Sequence, residues 1–94
     1  MDDTAIRQNI QIVNRKGLHA RASAKFVGCV SALPDGHEVI VAKDGVEARG
    51  QSILGLMMLG AARGDHIDIR VTGPRAEESL EKLAGLVLDG FGED

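Results

Sequence analysis

The sequence predicts an α+β open-faced sandwich, a four-stranded antiparallel sheet covered on one face by three helices in the order β-α-β-β-α-β-α. Three observations carry this reading. Residues 66–72 alternate cleanly, with Ile67, Ile69 and Val71 on one parity and Asp68 and Arg70 on the other. Asp44-Gly45 joins two short strand-like segments as the two-residue turn of a hairpin. Elsewhere, segments with apolar steps of three and four residues end at Gly or Pro, as amphipathic helices do. Ninety-four residues suffice for one domain, 1–94, with a modest two-layer core.

Taken in order, Ile6, Ile10 and Ile12 share a parity opposite Arg7, Asn9 and Gln11, which gives a half-buried first strand running into Val13. Asn14 to Leu18 reads as a loop. From Ala20 a helix follows, with Ala24, Val27 and Val30 as its apolar stripe, flanked by Phe26 and Leu33, and stopped by Leu33-Pro34-Asp35-Gly36. Glu38 to Lys43 and Val46 to Arg49 form the hairpin. Ser52 is the expected N-cap of a short helix, Ile53 to Leu59, closed by Gly60. After the fourth strand, Gly73-Pro74 opens the last helix, with Glu77 and Glu78 in its first turn. Ala76, Leu80, Leu83, Ala84, Val87 and Leu88 form its stripe. Asp89 to Asp94 reads as a frayed end against which only Phe91 tucks back.

Composition narrows the function. Two Phe and no Trp or Tyr mean an aliphatic core, and a single cysteine, Cys29, forms no internal disulfide and suits a reducing compartment. The first four residues lack the pattern of a signal peptide, and no apolar run approaches membrane-spanning length, so a cytoplasmic protein without membrane insertion is expected. A net charge of −3 argues against nucleic acid as a partner. RNA-binding domains share a β-α-β-β-α-β core, but they stack bases on sheet aromatics, and these strands contain none. His19, Cys29, His37 and His66 are too widely spaced to form a metal motif. His37 and His66 read as solvated residues at strand ends, and Cys29 as a core or boundary residue.

The chemistry concentrates in Gly17-Leu18-His19-Ala20-Arg21-Ala22-Ser23-Ala24. His19 falls at a helix N-cap, where unpaired backbone N–H groups and the helix dipole favour an anion. Imidazole is a competent nucleophile near neutral pH. A nucleophile beside a dianion cradle fits a residue that carries a phosphoryl group, with Arg21 supplying charge. Position alone does not separate this from a surface histidine that merely caps a helix.

Two motifs decide between those readings. Gly17-Leu18-His19-Ala20-Arg21 resembles the active-site signature of the histidine-containing phosphocarrier family HPr of the bacterial phosphotransferase system. Gln51-Ser52-Ile53-Leu54-Gly55-Leu56-Met57-Met58-Leu59-Gly60 resembles the family's second signature, around a regulatory serine. Their mutual spacing and the element order from Ile6 to about Leu88 also match. Ala22 departs from the pattern, which has proline directly after the arginine. Together with the acidic tail, that departure leans toward the nitrogen-linked regulatory branch and away from sugar transport.

The resemblance implies an HPr-like fold and a carrier that takes a phosphoryl group on Nδ1 of His19 from Enzyme I. The group then passes to a histidine of an Enzyme IIA. Such a protein is a substrate of phosphotransferases rather than a free-standing enzyme; it needs no cofactor and no metal, and it is expected to act as a monomer. The resemblance further implies regulation by a serine kinase and phosphorylase at Ser52, and partner docking through Ile53, Leu54 and Met57. The short helix has more apolar surface than one core-facing side absorbs, with Leu56 and Leu59 assigned to the core. The rival reading is a regulatory binding protein of the same fold that acts through Ser52 and carries no phosphate on histidine. The presence of both His19 and Arg21 weighs against it.

Overall fold

The computed structural model describes residues 5–93. Strand β1 (Ile6–Gln11) is followed by α1 (Ala20–Ser31), β2 (Glu38–Lys43), β3 (Val46–Arg49), α2 (Ile53–Met58), β4 (His66–Thr72), α3 (Ala76–Leu88) and a final 3-10 turn (Gly90–Gly92). The four strands form one antiparallel sheet in the order β1-β4-β2-β3. This is the expected open-faced sandwich, and the elements lie in the expected order.

Register puts the strongest alternation at the centre. Ile69 of β4 sits opposite Val41 of β2, and Val71 opposite Val39. All four are at most 2% exposed, beneath the helices. The other face of the sheet carries polar pairs: Asn9 donates from Nδ2 to Asp68 Oδ1 at 3.0 Å, and Arg70 pairs with Glu47. One covered face and one solvated face are what period-two alternation requires of an antiparallel sheet. The β2–β3 turn takes positive φ at both Asp44 and Gly45, the twist-matched hairpin geometry.

Three helical expectations change. On α1 the buried stripe is Ala22, Phe26 and Val30, joined by Ser23; Ala24 is exposed and Val27 only half-buried. Phe26, 1% exposed, sets this face, because the largest apolar group in the helix excludes the most water when turned inward. On α3 the helix begins at Ala76, so Pro74 lies outside its first turn. Arg75 is left-handed at φ 54°, and the Pro74 carbonyl accepts from His37 Nε2 at 2.7 Å, which holds the turn apart from the helix. Leu88 is 56% exposed and leaves the predicted stripe.

His37 is likewise no solvated strand end. Its two ring nitrogens lie 2.7 Å from the Pro34 and Pro74 carbonyls, and the Ser79 hydroxyl is 3.0 Å from Nε2. The imidazole thus ties the loop after α1 to the loop before α3. Those loops approach so closely that a Cβ at Gly73 would come within 2.7 Å of the Gly36 carbonyl oxygen.

The end of the chain is the largest departure. Residues 90–92 form a 3-10 turn, and Phe91 is fully buried in the core at φ 59°. Glycines of positive φ flank it on both sides. Burial of a whole aromatic side chain outweighs the strain of one left-handed residue, which costs roughly 1–3 kcal/mol. Phe91→Ala is therefore expected to lower unfolding free energy by about 3–5 kcal/mol in chemical denaturation. A loss below about 1 kcal/mol would mean that the segment is frayed after all.

Candidate functional site

The site is a loop held from below. Leaving β1, the chain is tied to the β4 side by Ile12 N–H to the Asp65 carbonyl and Gly64 N–H to the Ile12 carbonyl, both 2.8 Å. Asn14, 2% exposed, donates from Nδ2 to the Gly17 carbonyl at 2.9 Å and closes the turn. Gly17 then lies directly on the α2–β4 loop at φ 66°. A Cβ there would overlap the Ala61 carbonyl oxygen and come within 2.9 Å of Ala62 Cα. The next residue, Leu18, donates its N–H to that same Ala61 oxygen at 2.9 Å. Its own carbonyl accepts from the fully buried Ser23 hydroxyl at 3.2 Å. These ties leave His19 as the N-cap of α1, as expected, with extended φ −77° and ψ −176°.

Both ring nitrogens of His19 are engaged. The Arg21 amide N–H donates to Nδ1 at 3.2 Å, and an amide nitrogen can only donate. Nδ1 therefore carries a lone pair. Nε2 lies 2.8 Å from Glu93 Oε2, so in the neutral ring it holds the proton and donates it to a carboxylate. The side chain of His19 remains 25% exposed. The histidine presents its unprotonated nitrogen at the positive end of a helix, where orphan N–H donors collect.

Around it is an open cleft of about 400 Å³ lined by Arg15, Lys16, His19, Arg21, Lys25, Gly92 and Glu93. Among the described residues, four cations face one carboxylate, although the whole chain is net acidic. That concentration of charge favours an entering anion. Arg21 thus sits in the same cleft as His19, as anticipated.

Ala22, which stands where the family pattern has proline, is fully buried in the first turn of α1. Ser52 caps α2, accepting from the Gly55 N–H at 2.9 Å. A Cβ at Gly55 would press on the capping Ser52 Oγ at 2.9 Å, so glycine leaves the cap undisturbed. Behind that cap, Ile53 (40%), Leu54 (66%) and Met57 (39%) are exposed, while Leu56 and Leu59 are buried. Met58 is the most exposed of this group at 74% and joins the apolar face, a place that the sequence alone does not give it.

Sequence reasoning also misses Glu93, Asn14 and Lys25. Glu93 accepts from Asn14 Nδ2 at 3.1 Å as well as from His19, and Lys25 Nζ donates to the Phe91 carbonyl at 2.7 Å. The tail reads as frayed, and no local pattern marks a carboxylate that meets its partner 74 positions away. The buried Phe91 next to it is the one available signal.

Desolvation works to raise the Glu93 pKa. Hydrogen bonds from Asn14 and His19, with the nearby charges of His19 and Lys25, outweigh it and hold the carboxyl below its ordinary range. A folded value below the unfolded one means that ionised Glu93 stabilises the fold above the ordinary carboxylate range, and that this contribution fades as pH falls through the lowered value. The stability difference between wild type and Glu93→Gln, followed by urea denaturation, is expected to close on acidification in that window. A difference that stays constant with pH would contradict it.

The sequence matches the family model described as "PTS HPr component phosphorylation site" over residues 6–89. It is 42% identical to the phosphocarrier protein HPr of Neisseria meningitidis serogroup A, over 94% of this chain and 97% of the relative. It is 34% identical to the phosphocarrier protein NPr of Escherichia coli K12, over 95% and 98%. Among solved structures, HPr-C-His from Thermoanaerobacter tengcongensis superposes with a TM-score of 0.86 at 34% identity, covering 95% of this chain and 98% of that one. An HPr from Bacillus anthracis gives 0.82 at 33% identity, covering 89% and 98%.

Proposed function

Because the chain belongs to the PTS HPr family of phosphocarrier proteins, we propose that it carries a phosphoryl group on Nδ1 of His19, received from Enzyme I and passed to an Enzyme IIA. The observation that supports this most is the orientation of the ring. Nδ1, with its lone pair, meets only the weak 3.2 Å bond from the Arg21 amide, in a cleft of four cations. In the transfer, the Nδ1 electron pair forms a bond to phosphorus while the bond to the donor breaks, its pair returning to the donor atom. The Arg21 amide exchanges its bond to Nδ1 for one to a phosphoryl oxygen. The Arg21 guanidinium and the helix N-terminus neutralise the equatorial oxygens, so positioning and charge do the catalytic work. Onward transfer reverses the step against the Enzyme IIA histidine.

Incubation with phosphoenolpyruvate and Enzyme I should give an acid-labile, alkali-stable phosphate that His19→Ala abolishes. His37→Ala and His66→Ala should retain it. Arg21→Ala should stay folded and transfer more slowly, on the order of a hundredfold. Labelling that survives in His19→Ala, or a normal rate in Arg21→Ala, would remove that residue from the mechanism. Relatives carry both HPr and NPr names, so the acceptor assay pairs the protein with an Enzyme IIA of each branch.

Regulation at Ser52 is part of the same proposal. Ser52 borders the exposed Ile53, Leu54, Met57 and Met58, a surface suited to an apolar partner face. A phosphate there adds about −1.5 to −2 charge at pH 7, which a helix N-terminus accommodates and an apolar interface does not. Ser52→Ala should lose about 1 kcal/mol of capping energy yet transfer phosphate normally. Ser52→Asp should melt at or above the wild-type temperature and accept phosphate more slowly. Leu54→Glu or Met57→Glu should weaken binding of Enzyme I without unfolding. Unchanged transfer in Ser52→Asp and in authentic phosphoserine protein would reduce Ser52 to a helix cap.

A further inference from the structure

We infer that Glu93 is a positioning residue for phosphoryl transfer, its carboxylate holding the Nε2 proton of His19 throughout the carrier cycle. This deepens the proposal that His19 is the phosphoryl acceptor and rests on it. The geometry is built rather than incidental. The carboxylate is gripped at both oxygens, Oε2 by His19 Nε2 at 2.8 Å and Oε1 by Asn14 Nδ2 at 3.1 Å. Asn14 also fixes the Gly17 carbonyl, so one buried amide sets the nucleophile loop and the tail at once. Phe91, buried two residues earlier, and Lys25, bound to its carbonyl, anchor the tail to α1 and the core.

The electrostatic setting gives the contact its consequence. Among the described residues, Arg15 and Lys16 from the loop and Arg21 and Lys25 from α1 line the cleft with Glu93 as its one carboxylate. Those cations favour the incoming dianion and oppose positive charge on the imidazole. When Nδ1 gives its electron pair to phosphorus, the ring with Nε2–H becomes a phosphoryl-imidazolium and needs a nearby anion. Glu93 supplies it. Onward transfer breaks the Nδ1–phosphorus bond, the pair returns to Nδ1, and the ring is neutral again with the same proton on Nε2. The proton never leaves. If Nε2 instead loses its proton to water, the bond to phosphorus no longer has a neutral imidazole as its leaving group, and transfer slows. A carboxylate that orients and charge-balances a histidine in this way is a general device.

The test uses the full chain with Enzyme I and an Enzyme IIA, and Glu93→Gln, which keeps the shape and removes the charge. Transfer to Enzyme IIA should slow about tenfold. In ³¹P and ¹⁵N NMR, phospho-His19 of the variant should lose its Nε2 proton at lower pH than wild type. Unphosphorylated Glu93→Ala should show a smaller share of the Nε2–H tautomer than wild type. An unchanged rate with unchanged titration overturns the inference. So does faster transfer, which would make Glu93 a plug in the anion cleft. If wild-type protein takes no label at His19, the carrier reading fails by itself. The tautomer shift in unphosphorylated Glu93→Ala still decides whether Glu93 orients the ring.

Discussion

The site depends on one close approach, that of Gly17 to the Ala61 carbonyl. No side chain fits between them, and the backbone there is left-handed, so two separate constraints select glycine at this position. The contact sets the first loop on the one before β4, and the Leu18 amide then bonds the same oxygen. Everything downstream inherits this seat: the extended backbone of His19, the start of α1 and the direction in which its free N–H groups point. Backbone packing places the residue, and the contacts of its two ring nitrogens with the Arg21 amide and Glu93 then set the orientation of the imidazole.

A sheet covered on one face only leaves little room for surplus apolar surface. The strands, the inward faces of α1 and α3, and the two Phe share the core. Helix α2 has six residues, and only Leu56 of these is buried, with Leu59 just beyond its end. Ile53, Leu54, Met57 and Met58 stay exposed while Leu56 turns inward.

Much of this is legible from residues. Strand β4, the β2–β3 hairpin and the Ser52 cap are plain because each rests on a local rule: alternation, turn chemistry, a hydroxyl before an apolar run. The face of α1 is not. The stripe through Ala24 and the stripe through Ala22 both satisfy helical spacing, and only the volume of Phe26, weighed against the rest of the core, separates them. The start of α3 escapes a local reading because the Pro74 carbonyl is claimed by His37, a contact across 37 positions. The candidate site divides along the same line. His19 and Arg21 lie in one contiguous motif and can be read; Glu93 and Asn14 join it through tertiary packing, and the acidic tail reads locally as solvated.

The bond between His19 and Glu93 closes a span of 74 positions that holds three of the four strands and all three helices. It forms only in a chain whose final turn has docked, and it breaks early when that turn lifts away. Detachment of residues 90–93 leaves the hydrogen bonds of every strand in place, so it is a sub-global opening, with a free energy below that of complete unfolding. In that opened state the imidazole loses its carboxylate contact while the fold around it stays intact.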